Sequence, residues 1–155
     1  MDDIQQVIID KEKYFLKAVE SGRKRYAYVL HKPGDYHNRV LNFLISTTYM
    51  KTHRHEGSER SEYIKILEGE IKVIYFNSAG IPFEEKILST STEKSFEIIV
   101  PPGVWHTYTV MSKRAITYET MNGVYDPNTW KKMADWAPNE GSEEACAYEH
   151  QLRNS

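Results

Sequence analysis

Eight short runs of β-favouring residues follow one another between residues 25 and 121, and this succession constrains the fold more than any other feature of the chain. Turn-forming residues separate the runs, as in Lys32-Pro33-Gly34-Asp35 and Pro101-Pro102-Gly103. The predicted strands cover residues 26–30, 40–49, 63–67, 71–76, 83–88, 96–100, 107–111 and 115–121. Many short strands joined by such turns are typical of a β-sandwich or a β-barrel. We therefore expect an all-β fold over this part of the chain.

Helical patterns flank the predicted strands. Residues 4–20 place apolar side chains at helix-like spacing before Ser21-Gly22, and residues 127–136 are a candidate for a short helix before Pro138. The chain of 155 residues has the length of one domain. We expect an N-terminal helical extension over residues 1–24, a barrel over residues 25–123 and a C-terminal extension over residues 124–155 that packs on the barrel. The polar tail from Asn139 is expected to be loosely held.

Charge and composition exclude several classes of partner. The formal net charge of -2, with scattered basic residues, favours neither nucleic acid nor an anionic membrane. No stretch of the sequence approaches the length of about 18 apolar residues that a transmembrane helix needs. Cys146 is the only cysteine, which excludes an intrachain disulfide and suits a reducing compartment. We therefore expect a cytoplasmic protein.

Three histidines and one glutamate from separate segments are candidates for metal ligands. His53 and His55 share a face if their segment is extended, because side chains two apart in a strand point the same way. Glu62 shares parity with the isoleucines that follow it, so its carboxylate would face inward, where it is costly without a cation or hydrogen-bond donors. His106 stands on a later strand, and a barrel makes such inward side chains converge. Three imidazoles and a carboxylate suit one divalent transition metal, namely Fe, Mn, Ni, Co or Zn.

These spacings resemble the two motifs of the cupin superfamily. The match comprises His53, His55, Glu62 and Gly69 in the first motif, and Pro101, Gly103 and His106 in the second. Six residues separate His55 from Glu62, where three or four are usual, and Glu59 fits the shorter spacing but not the distance to Gly69. We favour Glu62 as the ligand and keep Glu59 as the alternative. The resemblance implies a cupin double-stranded β-helix, or jelly-roll barrel, with a metal inside it.

The chain resembles one group of cupins in particular, the WbuC-type cupin-fold metalloproteins, over residues 1 to about 145. It shares with them Thr52-His53-Arg54-His55, Trp105-His106-Thr107, Tyr118-Glu119 and Trp136-Ala137-Pro138-x-Glu140-Gly141. The name of that group comes from surface-polysaccharide (O-antigen) gene clusters. The resemblance implies less about the substrate than about the fold, and a small polar ligand such as a sugar or a nucleotide sugar is our expectation from that origin.

Four further side chains are candidates for contact with this ligand. Glu119 shares parity with the inward residues of its strand and is the candidate catalytic base, the alternative being a surface position on an edge strand. Arg23 and Arg25 could bind a carboxylate or a phosphate through their forked guanidinium groups, and surface ion pairs are the alternative. The WbuC-type proteins share the Ser21-x-Arg23-x-Arg25 pattern. Tyr49 is the candidate that would present a hydroxyl to a sugar.

Three classes of function agree with these residues. The first is a metal-dependent enzyme that isomerises a small polar substrate or transfers its protons, the second an Fe-dependent oxygenase, and the third a ligand-binding cupin without catalysis. Finding Zn would count against oxygenation, and a bound ligand that is never turned over would favour the third class. We also expect a homodimer, because two-fold pairing is the commonest symmetry of soluble oligomers. The N-terminal helix and the edge strand near residues 25–30 could form its interface, unless the helix folds back on its own barrel.

Overall fold

A computed structural model describes residues 8–91 and 93–155 of the chain, and its elements confirm the mostly β fold. The elements are α1 (Lys11–Glu20), β1 (Arg25–Val29), β2 (His37–Ile45), β3 (His53–Arg54), β4 (Glu62–Glu68), β5 (Glu70–Phe76), β6 (Pro82–Ser89), β7 (Glu97–Val100), β8 (Trp105–Val110), β9 (Arg114–Asn122), β10 (Lys132–Met133) and α2 (Glu143–Asn154). Each of the eight predicted strands has a counterpart with shifted ends. The predicted helix over residues 4–20 begins at Lys11, and its residues 4–7 lie outside the described residues.

The strands of the described residues form two five-stranded antiparallel sheets that face each other. One sheet has the order β1-β2-β9-β4-β7 and the other the order β10-β3-β8-β5-β6. Apolar side chains from both sheets form the core between them, among them Leu44, Ile64, Ile71, Val73 and Tyr108. This is the jelly-roll arrangement expected from the sequence, and it places the inward residues of β3, β4, β8 and β9 around one interior space.

The N-terminal helix packs on the outside of its own barrel. It begins after Asp10, whose carboxylate accepts the backbone N–H of Lys13 at 3.2 Å and so caps the first turn. Phe15 and Ala18 are buried against Phe43 of β2. Because side chains alternate along β2, this outer contact leaves the even-numbered residues of the strand to face the interior. The sequence left two arrangements open for this helix, a dimer interface or a position against its own barrel. The structure shows the second of these.

Gly69 connects β4 to β5 in a conformation that favours glycine. Its φ is +79°, and a Cβ atom there would lie 2.3 Å from the carbonyl oxygen of Arg114. Any other residue would therefore collide with the backbone of β9. This close approach gives a physical reason for the glycine of the first cupin motif.

The structure has the predicted short C-terminal helix, but at Glu143–Asn154 and not over residues 127–136. The backbone N–H groups of Thr129 and Trp130 both donate to the carbonyl of Asp126, which makes a turn, and β10 follows directly. Lys132 and Met133 pair with β3, and Ala134 donates to the carbonyl of Thr52 at 2.9 Å. The edge of β3 needs a hydrogen-bonding partner, and this need outweighs the local helical pattern.

The prediction of a loosely held tail from Asn139 onward is wrong, because the C-terminal helix α2 occupies Glu143–Asn154. Leu152 is 4% exposed and packs with Ile74 and Phe76. The sequence looks polar here because only one narrow face of α2 is apolar. Neither helix of the described residues has the length and apolar character needed to cross a bilayer.

Candidate metal centre

The barrel brings the three candidate histidines and the favoured glutamate to one place. His53 of β3 lies directly opposite His106 of the neighbouring strand β8, and His55 follows just beyond β3. Glu62 begins β4 in the other sheet and reaches the imidazoles across the interior. The histidines are only 2 to 3% exposed, and the side chain of Glu62 is 12% exposed. The predicted convergence of these four residues is confirmed.

Backbone carbonyls hold the three imidazoles in one orientation. The Nδ1 atom of His53 lies 3.0 Å from the carbonyl of Lys51, and that of His106 lies 2.8 Å from the carbonyl of Val104. The Nδ1 atom of His55 lies 2.7 Å from the carbonyl of Trp130. A carbonyl only accepts, so each Nδ1 donates to it, and each Nε2 is directed into the interior, where its lone pair can bind a metal. This is the arrangement that prepares histidines for a metal.

The carboxylate of Glu62 lies among these lone pairs. Its Oε2 atom is 2.9 Å from Nε2 of His55 and 2.9 Å from Nε2 of His106. The four candidate ligand atoms all lie within 4.8 Å of one another. One ion with bonds of about 2.1 Å would place its ligand atoms about 3 to 4 Å apart, so the set has the size of a single metal site. Glu59, the alternative ligand, is instead exposed beside Arg60 at 3.7 Å.

The protonation states favour a cation among these atoms. Burial holds the pKa of His53 well below its usual range, and the nearby positive charge of Lys131 acts in the same direction. Burial alone would raise the pKa of Glu62, but its contacts with His106 and His55 outweigh this and hold the pKa well below its usual range. A neutral imidazole beside an ionised carboxylate is what a divalent cation binds.

The four residues line one end of a cavity of about 320 Å³. Glu119 of β9 also faces this cavity, as its parity predicted. Its Oε2 atom accepts hydrogen bonds from Asn42, from the hydroxyl of Tyr108 at 3.0 Å and from the hydroxyl of Thr117 at 2.6 Å. Burial, and next the charge of Glu62, raises the pKa of Glu119 to about 7. A carboxylate with such a pKa can accept and release a proton near neutral pH.

The predicted ligand-binding arginines line the cavity but are already paired. Arg25 is buried, and its guanidinium donates to Glu140 at 2.7 Å and to the carbonyl of Tyr49 at 3.0 Å. Arg23 donates to the same Glu140 carboxylate at 3.0 Å. Tyr49 is not among the residues that line the cavity, and its hydroxyl donates to the carbonyl of Pro138 at 2.8 Å. The substrate-binding roles of these three residues stay predictions.

Two residues that sequence reasoning did not assign to the site belong to its surroundings. Glu140 pairs with both arginines, and Lys131 lines the cavity. The only signal for Glu140 was its place in the Trp136-Ala137-Pro138-x-Glu140-Gly141 pattern. Lys131 stands in an irregular stretch just before β10, where no strand parity indicates a direction for its side chain.

Comparison with known proteins supports the fold. The model of a family described as a domain of unknown function, DUF6016, matches residues 8–88, just over half of the chain. No curated protein is significantly similar in sequence. Among solved structures, CapF of Staphylococcus aureus, described as a capsular polysaccharide assembling protein, aligns with a TM-score of 0.54 and 16% identity over 69% of this chain and 28% of CapF.

Two other solved structures give a similar result. A protein of Shewanella oneidensis aligns with a TM-score of 0.62 and 10% identity over 90% of each chain. Oxalate oxidase aligns with a TM-score of 0.54 and 11% identity over 73% of this chain and 56% of its own. CapF and oxalate oxidase are cupin-fold proteins, and at these identities the likeness shows the fold: a cupin barrel. The chain spans less than a third of CapF.

Proposed function

The chain belongs to the family described as the domain of unknown function DUF6016, and because that description assigns no activity, we propose a function from the site itself. The protein is a metal-binding cupin that holds one divalent transition metal, one of Fe, Mn, Ni, Co or Zn, through His53, His55, Glu62 and His106. It uses this centre to bind a small, oxygen-rich polar ligand and to move a proton on it.

One observation carries the proposal. Three Nε2 atoms and a carboxylate oxygen lie close together in a buried space, and the Nδ1 atoms of the imidazoles are committed to backbone carbonyls. With neutral imidazoles this is a group of four acceptors without a donor, which is unfavourable in a protein interior. A divalent cation is the partner that satisfies all four at once.

The residues around the centre suit proton transfer. A bound metal would supply a Lewis acid that polarises a ligand oxygen. Glu119 would accept a proton from the ligand, since its pKa of about 7 leaves it available as a base near neutral pH. Tyr108 and Asn42 donate to its Oε2 atom and so leave the other carboxylate oxygen, Oε1, as the one that would receive the proton. Burial, and next the charge of Glu119, raises the pKa of Tyr108 well above its usual range, so Tyr108 keeps its own proton.

The size of the cavity supports a small ligand. A volume of about 320 Å³ lies at the lower end of the range for small-molecule sites and equals roughly ten water volumes. A single sugar ring fits this volume, and a nucleotide sugar would have to leave its nucleotide outside.

We propose membership of the WbuC-type cupins and a role in surface-polysaccharide metabolism, which the description of CapF as a capsular polysaccharide assembling protein supports. We further propose a cytoplasmic homodimer, a location that the single cysteine supports.

Elemental analysis of protein purified without chelator tests the metal assignment. We expect about one transition-metal ion per wild-type chain and none in the double variant His53→Ala, His106→Ala, because two of four ligands are gone. The matched control is His150→Ala, which changes an exposed histidine of α2 and should keep the metal. Full occupancy in the double variant would contradict the proposal.

Ligand titrations then separate the three classes of function. Sugars, nucleotide sugars and organic acids are titrated into metal-loaded and chelated protein, and tight binding should require the metal. For any ligand that binds, solvent-deuterium exchange at its carbon atoms should occur with the wild type and be lost in Glu119→Gln. Binding without exchange or turnover would identify a passive receptor, and oxygen consumption with bound Fe would identify an oxygenase.

A further inference from the structure

Lys131 faces the metal cavity without a partner of its own. Its side chain lines the same cavity as the histidine cluster and is half-buried. It forms no side-chain hydrogen bond or ion pair with residues 8–91 or 93–155. Burial lowers the pKa of its ammonium below the usual value, and the opposite effect of the carboxylates of Glu62 and Glu119 is smaller. A half-buried ammonium without a partner is uncommon, because such a group gains stability only when an anion meets it.

The backbone around Lys131 is fixed to the metal-binding histidines. The carbonyl of the preceding residue, Trp130, lies 2.7 Å from Nδ1 of His55. Two residues further on, Met133 pairs with His53 in the sheet. The stem of Lys131 therefore starts from a segment whose position is tied to the metal ligands on both sides. Its ammonium can act together with the metal centre on one ligand.

The other cations of the cavity are already matched. Arg23 and Arg25 share the carboxylate of Glu140, at 3.0 Å and 2.7 Å. Counting Lys131 with these two gives three positive charges, whereas Glu62 and Glu140 give two negative charges and Glu119 adds a third only when it is ionised. The protein's own charges therefore leave no excess of negative charge around the cavity. A divalent metal adds two positive charges, which a ligand has to balance.

We propose that Lys131 forms an anion-binding subsite and that the ligand is a small dianion, with one oxyanion group on the metal and a second on the ammonium of Lys131. This inference rests on the metal-binding function proposed above. A metal ion and an ammonium repel each other in a space of low dielectric constant, and an anionic ligand between them turns the repulsion into two attractions. A hydroxy acid with a second carboxylate has the required chemistry, since its hydroxyl and first carboxylate can chelate the metal.

Malate and lactate are the probes that test the subsite. They share the α-hydroxycarboxylate group that would bind the metal, and malate alone has a second carboxylate for Lys131. Calorimetric titration into metal-loaded wild-type protein should show about tenfold or more tighter binding of malate, the usual effect of a charge-assisted hydrogen bond. Binding of both acids should weaken in chelated protein.

The variant Lys131→Met should lose this preference and bind malate no better than lactate, while its metal content stays at the wild-type level and its affinity for lactate falls less than its affinity for malate. Lys131→Arg keeps the charge and should retain the preference. Lys132→Met is the matched control, because Lys132 is exposed beside Glu56 and does not line the cavity. A malate preference that persists in Lys131→Met, or one that is absent from the wild type, overturns the subsite.

The two proposals fail in different ways. If malate and lactate bind equally well with and without the metal, the proposed metal function is wrong. If both acids need the metal but Lys131→Met changes nothing, only the subsite is wrong. A measurement on wild-type protein supplements the variants: malate, but not lactate, should protect Lys131 from reductive methylation, as followed by peptide mass spectrometry. Equal modification of Lys131 with either acid contradicts the proposal.

Discussion

At the scale of single residues, the carboxylate of Glu62 lies among imidazoles, whereas that of Glu59 is exposed and faces Arg60. We predict that Glu62→Gln weakens metal binding by more than about 100-fold, because loss of a direct ligand should exceed the effect of losing an outer partner. Glu59→Gln should change the affinity by less than about twofold, as expected for an exposed pair. Competition titration with a metal-binding dye measures both. Equal losses in the two variants would show that the carboxylate ligand is wrongly assigned.

The raised pKa of Glu119 gives a prediction about stability and pH. Its pKa is about 7 in the folded protein against 4.5 in the unfolded chain, so the folded state binds more protons between these values. Folding stability therefore falls as pH rises through this interval and stays lowered above it. Gln cannot ionise, and its side-chain oxygen can still accept the bonds from Asn42 and Tyr108.

In chelated protein, the melting temperature of Glu119→Gln relative to the wild type should therefore be higher at pH 8 than at pH 5. Thermal unfolding followed by circular dichroism at a series of pH values measures this difference. A difference that is constant across the series would mean that Glu119 is not a buried, neutral acid at low pH.

At the scale of elements, the C-terminal helix α2 is held by Leu152, which packs with Ile74 and Phe76. We predict that Leu152→Ala lowers the free energy of unfolding by about 2 to 4 kcal/mol, the usual result of a cavity left by a buried leucine. Gln151→Ala changes an exposed residue of the same helix and should have an effect within about 0.5 kcal/mol. Urea unfolding measures both. If Leu152→Ala has no effect, then α2 is not anchored in the way described.

The sequence predicted the strands well, because a strand with one buried and one exposed face alternates apolar and polar side chains, and this alternation is visible in the sequence. The same alternation of side chains correctly predicted that Glu62 and Glu119 face the interior. Strand parity gave no prediction for β10 or for Lys131, because the two residues of β10 are too few for a pattern. Nor could parity report the pairing of Arg25 with Glu140, which joins residues 115 positions apart. Such contacts depend on the whole fold, so no local pattern reports them.

At the scale of the whole molecule, exposed apolar residues lie where the two sheets end. Phe83 of β6 and Ile99 of β7 are 62% and 65% exposed and line one shallow groove between the terminal strands. Covering such edges protects them from unspecific pairing. We predict that light scattering gives twice the mass of one chain. Ile99→Lys should shift the protein to the mass of one chain, whereas Leu16→Lys on the exposed side of α1 should not. A wild-type protein of single-chain mass would contradict the dimer.

The carbonyl of Trp130, which orients His55, comes from a segment made after all the metal ligands and after β9. During translation His106 therefore leaves the ribosome 24 residues before Trp130. At 5 to 20 residues per second this is a delay of about one to five seconds. The nascent barrel has its three imidazoles during that time, but one of them is still free to turn. If the proposed ion binds, it would be held firmly only after Trp130 has been made and has oriented His55, so the order of synthesis would postpone loading of the site.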